Sequence, residues 1–271
     1  SGATGSMRIA LAATALLGFL IGVIYWMPAS VGLQVLTTSQ VLPAAVDWQR
    51  VSGRVWQGAV TGFGQGDRRL DVIEWRLEPN RLITGEIGFE VAATGLSGVA
   101  SASGALRPNL LEITDFEFTM PATAITEHWI NWPLVMRGVF NGELSMLKIR
   151  LHDQRVLAGE GKVSWREAAS GYPQAARLGD LTGRIITSPE DGELLMAIRS
   201  DDQFLQLDGE VVIEPTSQYT LTVNAGPGPS AEPALINALA LMGFEPETAD
   251  AITLSSTGTL APGGLQFPTL Q

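Results

Sequence analysis

The feature that most constrains this chain is an apolar run from Ile9 to Met27, which contains no charged residue. At a helical rise of about 1.5 Å per residue, the run nearly spans a hydrocarbon core that is about 30 Å thick. The sequence therefore predicts a transmembrane helix over residues 7–27. The alternative is a cleaved secretory signal, but the run exceeds the usual apolar part of a signal, and the residues after Met27 make a poor cleavage site.

The residues that flank the run predict its orientation. Arg8 is the only charge before it, and the next charge after it is Asp47. Because short cytoplasmic segments carry the positive charge, we expect the N-terminus in the cytoplasm and the rest of the chain outside it, as a single-pass membrane protein. Tyr25 and Trp26 suit the headgroup region at the outer end. A cleaved signal would export the same domain.

Composition excludes several classes of function. The 271 residues carry a formal net charge of −11 and include no cysteine. The acidic balance argues against nucleic acid as a partner, and against attachment to anionic lipid by overall charge alone. The absence of cysteine excludes disulfides, thiol catalysis and metal sites built from cysteine. Stability must therefore come from the folded core.

The chain divides into five segments by composition and pattern. They are a cloning remnant (residues 1–6), the transmembrane helix (7–27), a juxtamembrane connector (28–45), a periplasmic β domain (46–262) and a C-terminal tail (263–271).

Within the β domain, apolar and polar residues alternate with a period of two. The clearest runs are 71–78, 112–120, 142–151 and 218–224, each between Gly, Pro, Asn or Asp residues. Such runs are typical of half-buried antiparallel strands, and the chain contains about a dozen of them. Helical patterns between neighbouring strands are missing, so βαβ units are not expected and the fold class is all-β.

Glycine recurs inside these strands, flanked two residues away by aliphatic or small side chains. The positions are Gly53, Gly138, Gly159, Gly183, Gly209 and Gly258. Glycine weakens a strand unless a bulge, a bend or a close backbone approach requires it. The repeat therefore predicts a strongly curved antiparallel sheet, or a folded-over sandwich, whose strands line a trough. The alternative is a set of independent hairpin turns that contain glycine.

One short C-terminal helix is predicted from Pro233 to Met242, with Gly243 as its stop. It is apolar on nearly every side except Asn237. A helix of this kind is buried on several faces, so we expect it to fill part of the trough and leave too little room for a diacyl lipid along the full length.

The sequence contains few residues of the kinds that catalyse reactions. His128 and His152 lack metal-ligand spacing, so no metal, cofactor or enzyme activity is expected. Large aromatics are more informative, because they concentrate in cores and interfaces. We expect Trp56 and Trp75 to be buried in strands, while Trp129 and Trp132, beside a proline, suggest a docking loop.

Several segments together resemble the protein N family of bacterial type II secretion systems. They are the N-terminal apolar run, the element with Gly53, Trp56 and Gly58, the segment from Trp75 to Pro79, and the C-terminal helix with its following strand. The resemblance implies an inner-membrane protein with a periplasmic domain, within a machine that exports folded proteins across the outer membrane. It implies no catalytic residue.

Two functions follow as expectations. The first is a non-enzymatic component of the secretion machinery that binds other periplasmic or inner-membrane subunits. The second is an anchored module that binds lipid or another apolar ligand in its trough. A trough that the C-terminal helix fills favours the first function, and a trough lined by apolar side chains but left unfilled favours the second.

Overall fold

A computed structural model of the chain describes residues 26–38, 46–65, 68–95, 97–128, 135–153, 155–171, 175–188, 193–216, 218–241, 251–261 and 264–265. No helix within these ranges is long and apolar enough to cross a membrane. The predicted transmembrane helix lies outside them, apart from its last two residues, Trp26 and Met27.

The described residues form an antiparallel meander of fourteen strands in one sheet, in which every strand pairs with its neighbours in sequence. The strands are β1 (Arg50–Arg54), β2 (Gln57–Gln65), β3 (Arg68–Glu78), β4 (Ile87–Gly95), β5 (Gly98–Arg107), β6 (Leu110–Pro121), β7 (Val135–Arg150), β8 (Arg155–Gly171), β9 (Ala176–Thr187), β10 (Leu194–Asp201), β11 (Leu205–Ile213), β12 (Gln218–Pro227), β13 (Ile252–Ala261) and β14 (Gly264–Leu265). The helices are α1 (Ala29–Thr38), the 3-10 helix η1 (Pro79–Thr84), α2 (Ala122–His128) and α3 (Pro233–Leu241).

The antiparallel all-β prediction is confirmed, and the sheet is open. Among the described strands, β1 pairs only with β2 and β14 only with β13, so the two edges do not meet. The four alternating runs fall within β3, β6, β7 and β12, apart from one residue at the end of β7. Consecutive pairing explains why the strands need no helical crossovers.

The register separates apolar from polar side chains onto two faces. Residues directly opposite each other in a ladder point to the same side of the sheet. Trp75 lies opposite Val91, Val91 opposite Ala102, and Ala102 opposite Phe116. We call this side the apolar face; its other members include Val60, Ile73, Phe89, Phe118, Phe140, Leu144, Val163, Trp165, Leu181, Ile185, Met196, Ile198, Val211, Leu221, Val223 and Leu254. The opposite, polar face carries charged and hydroxyl side chains such as Glu74, Glu90, Glu117, Lys162, Arg184 and Thr222.

Several of the repeated glycines lie on the apolar face beneath a large side chain of the next strand. A Cβ on Gly258 would meet the ring of Tyr219, and one on Gly209 would meet Val223. Gly53 and Gly138 have another role, because their φ angles are +88° and +100°. Close packing or left-handed backbone therefore accounts for these four glycines, whereas Gly183 has neither, since a Cβ there would have its nearest neighbour at 3.7 Å.

The C-terminal helix is less buried than its composition predicts. Among residues 233–240, for which burial is described, Leu235 and Leu239 are the buried side chains of α3, whereas Ala234, Asn237 and Ala240 are exposed. The expectation of burial on several faces is therefore wrong. Its physical reason is that the outward positions carry alanine and asparagine, whose exposure costs little.

The core that α3 completes is small and lies at one end of the sheet. It consists of Ala176, Leu205, Ala225, Leu235 and Leu239, with Leu178, Leu207, Val223, Ala231 and Ile252 packed against it. These sheet residues belong to the ends of β9, β11, β12 and β13. Elsewhere on the described apolar face the large side chains are mostly half-buried.

Candidate functional site

The residues that carry the family resemblance come together at one end of β1, β2 and β3. Gly53 lies directly opposite Gly58 in the β1–β2 ladder, and Gly58 lies opposite Trp75. A Cβ on Gly58 would meet the indole ring of Trp75. Pro79 begins η1 directly after β3 ends. Gly58 thus lets the hairpin pack tightly against the indole, and Gly53 lets β1 approach the backbone of Gln57 and Gly58.

Trp75 also fixes the peptide of Val55 through a hydrogen bond. Its indole Nε1 donates to the carbonyl oxygen of Val55 at 2.9 Å. The amide of the same residue, Val55, donates to the carbonyl oxygen of Met27 at 3.0 Å. Pro28 forms an isolated antiparallel bridge with Arg54. The last residue of the apolar run is therefore fastened to the β1–β2 turn.

Trp56 lies in the two-residue turn between β1 and β2, so its predicted place within a strand is wrong. Its carbonyl oxygen accepts a 2.7 Å hydrogen bond from the amide of Leu77. Trp75 does lie in a strand, as predicted, and both tryptophans are half-buried rather than buried. The tight pairing of Gly53 with Gly58 forces the two residues Val55 and Trp56 into the turn.

The apolar face is the second candidate site, because the helices cover little of it. Helix α3 packs at the ends of β9 and β12, and α1 and α2 contact β1–β2 and β6–β7 respectively. In the described part of the chain no large side chain has an exposed fraction below 2%. With a strand spacing of about 4.8 Å, the face from β2 to β13 measures roughly 50 Å across the strands. It is long enough to receive an extended apolar ligand.

A charged network occupies the polar face between η1 and β7. Arg107 contacts Glu86 at 2.9 Å and Glu112 at 3.4 Å, and Lys148 contacts Glu112 at 3.2 Å. The hydrogen bond to Glu86, with the charges of Glu86 and Glu112, raises the pKa of Arg107 above its ordinary value. Arg81 joins the network through Glu86 at 3.7 Å. Alternating charges of this kind neutralise each other across neighbouring strands.

A cleft of about 750 Å³ lies beside Trp75 and contains no arrangement that resembles a catalytic site. Its charged lining includes Glu74, Glu90 and Arg76, and Arg76 pairs with Glu90 at 3.3 Å. Within the described ranges, no cluster of histidine and carboxylate side chains could hold a metal ion. His152 lies in the exposed turn after β7, where its Nδ1 contacts Asn109 Oδ1 at 3.2 Å.

Two predicted interface residues, Trp129 and Trp132, lie outside the described residues. Conversely, the exposed pair Leu82 and Ile83 in η1 was not predicted from the sequence. The signal was present, because two apolar residues follow a proline turn and precede Gly85, which ends η1 with a φ of +78°. Alternation cannot detect such a pair, since it belongs to neither face of a strand.

Comparison with known proteins identifies the family of the chain. The sequence profile of the family described as "Type II secretion system (T2SS), protein N" matches residues 44–255. The chain is 26% identical over 228 residues to the type II secretion system protein N of Klebsiella pneumoniae, covering 82% of this chain and 87% of that protein. No solved structure matches the chain. The match extends from the connector before β1 into β13, so the chain belongs to the type II secretion system protein N family.

Proposed function

We propose that this chain is a non-enzymatic component of the type II secretion machinery that acts through contacts with other subunits. The inner membrane holds it by residues 7–27, and its sheet lies in the periplasm, where it assists export of folded proteins across the outer membrane. The family match over residues 44–255 is the observation that carries the proposal.

The proposed topology is supported by the attachment of Met27 to Val55. The hydrogen bond between their backbones joins the end of the apolar run to the first hairpin of the sheet, so little free chain separates them. A domain held in this way lies beside the membrane that its anchor enters. Its neighbours are then the other subunits that expose domains at the same surface.

Two measurements in cells that assemble the machinery test the proposal. Alkaline phosphatase fused after Gln271 should be active, because this enzyme folds only in the periplasm, and chemical crosslinking of intact envelopes should join the chain to other secretion subunits. An inactive fusion would overturn the topology. Crosslinks to none of the machinery's subunits, with the chain present at normal level, would overturn the functional proposal.

Binding of an apolar ligand is the second candidate function, and one observation favours it. The C-terminal helix covers only one end of the apolar face, and the other described helices contact only β1–β2 and β6–β7, so α3 leaves side chains of β2–β8 for another occupant. The expectation that α3 excludes a lipid along the full length is therefore not supported by its position. Detergent-free protein, extracted and analysed by mass spectrometry, tests this candidate directly.

A matched pair of variants distinguishes lipid bound on the apolar face from lipid attached non-specifically elsewhere. Ala102 lies on the apolar face, and its neighbour Ser101 points to the polar face. Ala102→Trp should fill part of the apolar face and lower the lipid content, whereas Ser101→Trp should leave it unchanged. Equal lipid content in both variants, or none in the parent protein, would reject the candidate.

A further inference from the structure

Exposed apolar side chains gather at the end of the sheet where the apolar run arrives. Of the ten large hydrophobic residues exposed in the described part of the chain, five belong to two short segments, residues 26–35 and 82–83. They are Trp26, Val31, Val35, Leu82 and Ile83, which we call the basal patch. Contiguous exposed apolar surface on a folded domain marks an interaction site.

The two segments lie close together because β1, β2 and β3 are adjacent strands. Met27 is bonded to the β1–β2 turn, and the carbonyl of Trp56 in that turn is bonded to Leu77, near the end of β3. Helix η1 follows directly at Pro79. Residues 27–28 lie beside β1, so three strand intervals of about 4.8 Å place Met27 roughly 14 Å from the end of β3, where η1 begins. The two segments therefore belong to one surface.

Helix η1 holds its apolar side chains outward by its own backbone structure. The hydroxyl of Thr84 donates a hydrogen bond to the carbonyl oxygen of Arg81 at 2.7 Å. The amide of Gly85 donates to the carbonyl oxygen of Leu82 at 3.1 Å. Ile83 is 92% exposed and Leu82 is 47% exposed. These backbone and hydroxyl hydrogen bonds close the turn without burying Leu82 or Ile83. The two side chains are therefore exposed in the folded state.

The N-terminal part of the chain, which supplies both segments of the basal patch, differs in charge from the whole chain. Residues 1–82 contain seven of the 17 Lys and Arg residues but only five of the 28 Asp and Glu residues. The guanidinium of Arg54 lies 3.8 Å from the ring centroid of Trp26, which is itself 66% exposed. An aromatic ring stacked with arginine suits the boundary between lipid headgroups and acyl chains.

We propose that the basal patch lies in the membrane interface, with Leu82 and Ile83 inserted among the lipid headgroups beside the anchor. This second contact fixes the end of β1–β3 against the bilayer and directs the other end of those strands away from it. The inference rests on the anchor of the proposed function. It adds a binding surface for phospholipid that the anchor alone does not require.

The absence of cysteine from the chain allows a direct test. In the full chain, Ile83→Cys would be labelled with an environment-sensitive fluorophore and reconstituted in nanodiscs of phosphatidylethanolamine and phosphatidylglycerol. Val99→Cys is the matched control, because Val99 is a 56% exposed apolar residue at the opposite end of the strands. Leu82→Cys serves as a second position in η1. The label at 83 should shift to shorter emission wavelength, and lipids with spin labels near the headgroup should quench it.

Each outcome decides the inference. A label at 83 that stays as solvated as the label at 99, in chains that remain embedded in the nanodisc, would overturn it. A blue-shifted label that spin-labelled lipids do not quench would also overturn it, since a second copy of the chain would then cover the patch. Extraction of the full chain from membranes by alkaline carbonate would instead reject the anchor, and with it the topology proposed above.

Discussion

The indole Nε1 of Trp75 donates a 2.9 Å hydrogen bond to the carbonyl oxygen of Val55, whose own amide donates to Met27. One residue, Val55, thus links the first long strand of the sheet to the end of the apolar run. The family motif residues surround Val55: Gly53 and Gly58 flank the turn, and Trp75 covers Gly58. The motif accordingly builds a structural joint, and the first prediction concerns its strength.

Trp75→Phe should keep most of the packing over Gly58 and remove the hydrogen bond to Val55. We expect the free energy of unfolding to fall by about 1 kcal/mol, the usual contribution of one such bond. Chemical denaturation of the purified protein, followed by circular dichroism, measures the change. Trp75→Ala should cost more, because it also removes the ring. Equal losses in the two variants would show that packing contributes nothing here.

The second prediction uses two glycines on the apolar face that differ in the space around them. A Cβ on Gly142 would collide with the ring of Phe118, whereas one on Gly183 has its nearest neighbour 3.7 Å away. Gly142→Ala should therefore lower the free energy of unfolding by about 1–3 kcal/mol through overpacking. Gly183→Ala should be neutral or stabilise by about 0.4–1 kcal/mol, since alanine restricts the unfolded chain.

Thermal unfolding of both glycine variants beside the parent protein checks this pair. If Gly183→Ala lowered the free energy of unfolding as much as Gly142→Ala, close packing against Phe118 would not explain the effect at Gly142. Backbone strain is not the cause at either position, because neither glycine has a positive φ.

Much of the sheet is predictable from the sequence because, in a half-exposed strand, apolar residues on the buried face alternate with polar residues on the exposed face. The alternation in residues 71–78 predicts that Trp75 and Glu74 lie on opposite faces of the sheet. In the structure Trp75 lies on the apolar face and Glu74 on the polar face. The place of Trp56 is not predictable in this way. Its position in a turn depends on the register of Gly53 with Gly58, which is a relationship between two strands.

The extent to which α3 is buried was mispredicted for a different reason. Counting apolar residues around the helix treats Ala234 and Ala240 like leucine, although alanine has little surface to remove from water. The basal patch was missed because its members come from segments about fifty residues apart in sequence, and only the pairing of β1, β2 and β3 brings them together.

The third prediction concerns the stability of the C-terminal end of the sheet. Leu239 is 5% exposed and packs in the cluster that includes Leu205 and Ala225. Leu239→Ala should lower the free energy of unfolding by about 2–5 kcal/mol, by loss of buried surface and formation of a cavity. Ala240→Ser, at the exposed neighbouring position, should change it by no more than about 0.5 kcal/mol.

Hydrogen exchange gives the location of the Leu239→Ala effect. Since α3 contacts β9 and β12 and does not contact the first strands, exchange should accelerate at the ends of β9, β11 and β12. The amide of Val55, which is bonded to Met27 at the other edge of the sheet, should keep its protection. Acceleration at Val55 equal to that in β12 would mean that the sheet unfolds as one unit, and the small cluster would then stabilise the whole meander rather than its end.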